Sequence, residues 1–404
     1  MIQIKPDLPQ LAGLPEALHN AAVEGIEFTG VHTLVRLQDY VTQTTYYHTL
    51  PTGHAAQFPV TFSSDGEEKY HSVAAEVWMA APLINSVLHE LTIYPPIEKT
   101  QLHSCSKVII LNCLDDCYGH CLYKLFNAQQ HLDNNSDFGL VIIVPRLLKW
   151  LVPSGVAEIW SVDAPLNQLS SWVKSLDDVI KKELSRFQQA YLSLAIMELD
   201  LSTIDIRRFV EIEPLQLNNG KKTPKQVTFI CREDRFWLST KLDQLLYLLS
   251  RKFRWERFFK SYFVRKQNHK FDRVAHWLTK RDASITCTAV GLGTWGSLGE
   301  LIKDQRVEKI TSEEIERQWC QLYARSHVVV GVHGSNMLLP TAFAAGFINL
   351  LPNFKEPHRG EDVFPRSGKS ESELERFLPT ETSSSTVAKH TWEVIHSVST
   401  YEIY

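Results

Sequence analysis

Six short apolar runs constrain this chain more than any other feature. They are residues 107–111 (KVIIL), 140–144 (LVIIV), 157–162 (AEIWSV), 227–231 (VTFIC), 327–332 (HVVVGV) and 347–351 (FINLL). A strand that is apolar on both faces belongs where both faces are covered, which is the interior of a parallel sheet. Parallel neighbours need crossovers long enough to hold a helix, and segments of that length lie between these runs. Helices are expected over 115–131, 243–277 and 387–398, over 337–345, and from the capping-box pattern Thr311-Ser-Glu-Glu314 to about residue 325. Residues 284–290 and 307–310 read as further strands, 76–91 as a short helix, and the alternation over 34–50 as strands. The fold class is therefore α/β, with two successive Rossmann-like domains.

The length of 404 residues suits two or three domains. Residues 214–226 (PLQLNNGKKTPKQ) are poor in apolar side chains and read as a linker. This gives an N-terminal domain over 1–215, a C-terminal domain over 225–352, and a tail over 353–404 whose helix packs back on the first domain. The formal net charge of −4 excludes a protein that grips nucleic acid through a basic surface. No apolar run has the ~18 residues a membrane span requires, and the N-terminus lacks a basic, apolar secretory leader. Seven dispersed cysteines fit reduced thiols. Together these features lead to an expectation of a cytoplasmic protein; they do not specify its oligomeric state.

Three patterns carry candidate chemistry. Arg232 and Arg235 follow the 227–231 strand, and guanidinium forks at the carboxyl end of a parallel strand suit a diphosphate. A pairing with Glu233 and Asp234 is the structural alternative. His333-Gly334-Ser335-Asn336 follows the 327–332 strand; Gly334 permits close approach of a ligand, and Ser335 or Asn336 would cap the next helix and leave amides for an anion. Gly291-Leu-Gly-Thr-Trp-Gly296 matches the dinucleotide fingerprint literally, but the acids about 20 residues on, Glu313 and Glu314, are already expected to cap a helix. Cys113, Cys117 and Cys121 share a spacing of four, read here as small buried residues rather than zinc ligands.

Taken together, these motifs resemble glycosyltransferase family 61, the family of EGF-domain O-GlcNAc transferases and plant xylosyltransferase-like enzymes. Cys231-Arg232-Glu-Asp-Arg235, Gly331-Val-His333-Gly334-Ser-Asn336 and Phe347-Ile-Asn-Leu-Leu-Pro352 stand where that family carries an Arg pair, a Gly-x-His-Gly turn and a closing strand. The stretch from Asn112 to His120 is similar to its first-domain His motif. The resemblance implies a GT-B architecture, two Rossmann-like domains facing across a cleft, and inverting transfer of a sugar from a nucleotide-sugar donor to a hydroxyl acceptor such as a glycan. It implies a UDP-linked donor, no cofactor and no metal. Arg232, Arg235, His333, Gly334, Ser335, Asn336 and Asn349 would bind the donor. His120 would be the base, with Asp115 and Asp116 as the other candidates. Three positions depart from the family pattern: the His333–Asn336 turn is shorter, Asn349 replaces a ribose-contacting Glu, and Cys121 replaces a Trp. Those departures motivate an alternative, a non-catalytic nucleotide- or glycan-binding relative. An NAD(P)-dependent enzyme using Gly291–Gly296 is a third.

Overall fold

The computed structural model describes residues 1–5, 11, 13–89, 95–170, 174–216, 224–308, 312–365 and 373–400. The chain divides into two compact units, Met1–Asp200 and Leu201–Tyr404. In the first unit the strands are β1 (Ile2–Lys5), β2 (Ala22–Phe28), β3 (Thr33–Asp39), β4 (Thr44–Thr49), β5 (Thr61–Ser63), β6 (Lys69–Tyr70), β7 (Ile97–Gln101), β8 (Lys107–Asn112), β9 (Gly139–Pro145), β10 (Glu158–Val162) and β11 (Gln189–Leu192). The second unit adds β12 (Gln226–Cys231), β13 (Thr286–Gly291), β14 (Ile302–Asp304), β15 (Val328–Val332), β16 (Gly346–Leu351) and β17 (Glu375–Pro379).

The first unit holds a six-stranded sheet in the order β1-β11-β8-β9-β10-β7. Its four middle strands run parallel, and β1 and β7 close the edges antiparallel. The apolar runs expected at 107–111, 140–144 and 157–162 are β8, β9 and β10, and both faces of β9 are buried. A separate five-stranded antiparallel sheet, β2 through β6, precedes them. One face of it supplies Phe28, Val35, Leu37 and Tyr46 to the core that also contains Val108, Ile110, Val141 and Trp160. Only the 34–50 part of that sheet shows in the sequence alternation.

All six strands of the second unit's sheet are parallel, in the order β14-β13-β12-β15-β16-β17. Counted from the first strand of that unit, the order is the 3-2-1-4-5-6 of a dinucleotide-type doubly wound sheet, and it reverses direction between β12 and β15. The α/β class with a largely parallel sheet in each half is as the apolar runs require.

Four expectations need correction. The expected strand at 307–310 is displaced to β14, and Val307 makes only an isolated bridge to Leu292, while residues 309–311 lie outside the described residues. The expected helix over 243–277 is two helices, Lys241–Lys252 and Glu256–Arg281, because Arg254 takes a left-handed conformation with φ 59°. Residues 201–215 belong to the second unit: Leu215 joins its core and its amide donates to the Phe343 carbonyl at 2.9 Å. The C-terminal helix Ser384–Thr400 buries Val387, Ala388, Val394, Ile395 and Val398 in the second unit's own core, not the first. There it shares the core with Phe271, Val274, Ala275 and Leu278 of the helix Glu256–Arg281. Among the described residues no helix is long and apolar enough to cross a membrane.

Ile395 tests that placement. It is fully buried, so Ile395→Ala should destabilise the protein by about 2–5 kcal/mol. Urea unfolding followed by tryptophan fluorescence reads this directly. A change below about 0.5 kcal/mol, the range of surface substitutions, contradicts the placement.

Candidate functional site

Ligands of doubly wound sheets bind outside the carboxyl ends of the strands, where the strand order reverses. In the second unit that point is the gap between the ends of β12 and β15. Arg232 and Arg235 leave β12, and His333 to Asn336 leave β15. Arg232 Nη1 donates to the His333 carbonyl at 3.3 Å and to Asn336 Oδ1 at 2.5 Å. Arg235 Nη1 donates to the same His333 carbonyl at 3.1 Å. Two guanidinium groups therefore converge on one oxygen.

Gly334 makes this approach possible. Its φ of 145° disfavours a side chain, and a Cβ would stand 2.3 Å from Arg232 Nη1 and 2.9 Å from Arg235 Nη1. Asp234 is the counter-ion of Arg232: Nε donates to Oδ1 at 2.6 Å and Nη2 to Oδ2. Burial opposes ionisation of Asp234, but the Arg232 hydrogen bond and charge outweigh it and hold the carboxyl below its usual range. Glu233 does not join the arginines. It pairs with Lys260 at 2.6 Å and accepts from the Trp295 amide at 3.0 Å.

The ring of His333 is fully buried. Asn349 Nδ2 donates to its Nδ1 at 3.0 Å, so the ring proton sits on Nε2, which faces Asp362 Oδ2 at 3.9 Å. Burial lowers the His333 pKa to about 4, assisted by the positive charges of Lys355, Arg235 and Arg232. Asn349 is likewise fully buried and acts on the ring. These two side chains thus position the turn and do not face solvent. Neither Ser335 nor Asn336 caps a helix as expected. Ser335 opens the short 3-10 turn Ser335–Met337, the helix proper is Leu338–Phe343, and Asn336 spends its oxygen on Arg232.

The first unit gathers a second cluster at the end of β8. Asn112 anchors the loop by donating to the Gly30 carbonyl at 2.6 Å and accepting from the Leu114 amide at 3.1 Å. The helix then begins at Tyr118, not at 115. His120 Nδ1 lies 3.0 Å from Asp115 Oδ1, and Lys124 Nζ lies 2.9 Å from Asp115 Oδ2. Asp115 is buried; burial pushes its carboxyl up, but Lys124 and His120 together hold it well below its usual value. An ionised Asp115 can only accept, so His120 Nδ1 carries the proton and Nε2 keeps its lone pair. The His120 side chain is 40% exposed, so that lone pair is on an accessible group. Asp116 is exposed; loss of hydration and the charge of Asp115 raise its carboxyl.

Asp115, Asp116 and His120 bring ligand atoms within 4.8 Å of one another. Both Asp115 oxygens are nevertheless engaged by Lys124 and His120. Cys113 is in the strand-end loop, Cys117 precedes the helix and Cys121 lies within it, so the three do not form one helical stripe. All seven cysteines are free.

The Gly291–Gly296 loop does not bind a dinucleotide in the fingerprint manner. It follows the second strand of its unit rather than the first, and among the described residues no helix begins between it and Glu313. A Cβ at Gly291 would meet the Cys231 carbonyl at 2.0 Å, and one at Gly293 would meet the Glu233 carboxyl carbon at 2.0 Å. Gly291 thus makes room for the Cys231 backbone and Gly293 for Glu233. The expected capping box is also modified: Ser312 caps the helix Glu313–Tyr323 by accepting from the Ile315 amide at 3.3 Å.

Several residues of both clusters escaped the sequence reading. Lys124 lies one turn after His120, a spacing that could have signalled a shared partner. His54 packs edge-on to His120 with ring centroids 4.8 Å apart, and Trp78 packs edge-on to His54 at 5.3 Å. His54 lies in the 3-10 turn Gly53–Ala56 after β4 and Trp78 in the π-helix Glu76–Ala80, within the segment expected to be helical; no motif marks either. Lys355 and Asp362 come from the turn after β16.

The buried histidines make stability acid-sensitive. Burial is the main cause that lowers His333 and His131 to about 4 and His32 to about 3. Below their ordinary value of 6.5 the unfolded chain takes up protons that the folded chain refuses. Stability is therefore complete above pH 6.5 and falls as pH drops toward 4. His333 alone accounts for roughly 3 kcal/mol of that loss. Urea midpoints measured against pH should show a shallower acid limb in His333→Gln than in wild type; equal slopes would contradict the buried, neutral ring.

No protein-family profile matches the chain, and no curated protein matches it. Among solved structures, TarM is 11% identical over 95% of this chain and 74% of its own, with a TM-score of 0.28. A UDP-forming α,α-trehalose-phosphate synthase from Burkholderia xenovorans is 10% identical over 70% of this chain and 64% of its own, with a TM-score of 0.23. The GtfA/B complex is 11% identical over 97% of this chain and 76% of its own, with a TM-score of 0.23. Likenesses this weak assign the chain to no family.

Proposed function

We propose that this protein is an inverting, metal-independent glycosyltransferase that moves a sugar from a UDP-linked donor to a hydroxyl acceptor. One observation carries the reading: the Arg232 and Arg235 guanidinium groups share the His333 carbonyl at the strand-order reversal of a nucleotide-type sheet. Two cations held this close repel each other, and a diphosphate bridging them offsets that repulsion. Asp234, which fills the Arg232 fork, is the anion that a diphosphate displaces. His333 and Asn349 act from behind, as positioning residues for the turn.

In the reaction, the acceptor hydroxyl loses its proton to His120 Nε2 as its oxygen bonds to the anomeric carbon. The bond from that carbon to the diphosphate oxygen breaks, and the negative charge passes to the diphosphate, where Arg232 and Arg235 stabilise it. Asp115 fixes the His120 tautomer and stabilises the imidazolium that forms, and Lys124 keeps Asp115 ionised. Because cations on the chain meet the leaving-group charge, no divalent ion is required. A second reading, nucleotide binding without transfer, is favoured by Asn349, whose side chain is taken up by His333.

Calorimetry with UDP tests the donor site. Arg232→Ala and Arg235→Ala should each weaken binding by about 1.5–3 kcal/mol; unchanged affinity in both would sink the assignment. His120→Ala should cut transfer by about 10²–10⁴-fold and leave UDP affinity near wild type. Wild-type binding with no transfer to any hydroxyl acceptor would select the second reading. A chelator should leave both binding and transfer intact, and loss restored by manganese or magnesium would return attention to Asp115 and Asp116.

A further inference from the structure

The helix Lys241–Lys252 is turned the wrong way round for a helix of a soluble domain. Its inward positions are Asp243, Leu246, Tyr247 and Ser250, spaced at three and four residues, and two of those four are polar. Inward, Asp243 is held by Thr240, Tyr262 and Lys266. The leucines face out: Leu242 is 72% exposed and Leu248 62%. The connection to the next helix continues the surface, with Phe258 79% exposed and Phe253 and Trp255 about half exposed. Arg254 in its left-handed conformation reverses the chain there, and the Phe253 and Trp255 rings stack with centroids 5.0 Å apart. This apolar surface is preformed.

Its charge is opposite to that of the whole protein. Residues 241–260 carry six basic residues against two acidic ones, in a chain of net charge −4. Asp243 is buried and bonded, and Glu256 pairs with Arg251 at 3.4 Å. Lys252, Arg254 and Arg257 stand exposed among the aromatic rings.

We infer that this face, Leu242 to Phe258, docks the protein on an anionic lipid surface. Leucine, phenylalanine and tryptophan side chains interleaved with lysine and arginine are what an interfacial segment needs: apolar groups enter the boundary of the acyl chains while cations meet the headgroups. A second copy of this chain is a poor occupant, because a two-fold pairing would set the same basic surface against itself. Tyr247 donates to the Asp234 carbonyl at 3.2 Å and Lys260 pairs with Glu233 at 2.6 Å. The docking face is thereby tied to the loop that carries Arg232. It places the substrate-binding arginines beside the membrane surface, whatever ligand they hold.

Flotation of the full chain with vesicles tests this. The protein should float with phosphatidylcholine vesicles in which one lipid in three is phosphatidylglycerol, and not with phosphatidylcholine alone. Salt at ~1 M, which screens charges beyond about 3 Å, should release it. Lys252→Gln and Arg257→Gln should each weaken binding about fivefold, and Leu242→Gln and Phe258→Gln roughly tenfold or more. All four positions are exposed, and melting temperatures near wild type will show the variants folded. Absence of flotation on the anionic vesicles overturns the proposal, as does equal flotation on neutral ones; neither outcome depends on a variant folding. A dimer in solution that is abolished by Phe258→Gln, with no flotation, overturns it in favour of an interface between copies, and flotation lost only with Asp or Glu-rich protein competitors present leaves it standing.

Discussion

The His333 carbonyl accepts from both Arg232 and Arg235, and through that one oxygen the end of β12 is tied to the end of β15. Everything else at this end of the second unit adapts to the contact. Gly334 has no side chain because a Cβ would displace both guanidinium groups. Gly331, one turn of strand earlier, lacks one because a Cβ would stand 2.5 Å from Met337 Sδ. Asn336 forgoes a helix cap in order to accept from Arg232. The His333 ring, held by Asn349, fixes the turn from below. The strand-order reversal brings two strand ends together; the shared carbonyl sets how close their side chains come.

The same principle explains the Gly291–Gly296 loop. Glu233 lies between two arginines in sequence but turns away from them, accepts from the Trp295 amide and pairs with Lys260. Its carboxylate lies against Gly293, where a Cβ would stand 2.0 Å from the carboxyl carbon. Turning Glu233 away also leaves Asp234 as the only acid within the Arg232–Arg235 segment that neutralises Arg232. At the His333 turn burial, and after it the charges of Lys355, Arg235 and Arg232, keep the ring neutral.

The parts legible in the sequence are those with the simplest physical signature. Strands buried on both faces must be apolar throughout, so β8, β9, β10, β12, β15 and β16 announce themselves. The antiparallel sheet of the first unit buries one face only, and β5 and β6 span three and two residues; alternation that short is lost among turns. The break between Lys241–Lys252 and Glu256–Arg281 has no Gly or Pro to mark it, since Arg254 itself adopts the left-handed conformation. The arginine pair and the His-Gly turn could be found because strand ends in a doubly wound sheet are where ligands bind. His54, which packs on His120, and Trp78, which packs on His54, could not, since both lie far from His120 in the chain and no motif links them. The burial of His333 and Asn349 against each other is not legible in the sequence, because no local pattern pairs residues sixteen positions apart on neighbouring strand ends.

His333, just after β15, and His120, in the first turn of the helix Tyr118–Asn134, have opposite environments. His333 is enclosed, surrounded by three cations, and its Nδ1 accepts from Asn349 while Nε2 holds the proton. It has no lone pair to offer, and further protonation would place a fourth positive charge beside Lys355, Arg235 and Arg232. His120 has the reverse arrangement. Its Nδ1 donates to an ionised, buried carboxylate, and its side chain is 40% exposed. Lys124 is essential to that asymmetry, because without its charge the buried Asp115 would itself take up a proton and cease to orient the ring. His333 therefore serves to hold the two arginines in place, and of the two rings only that of His120 is exposed.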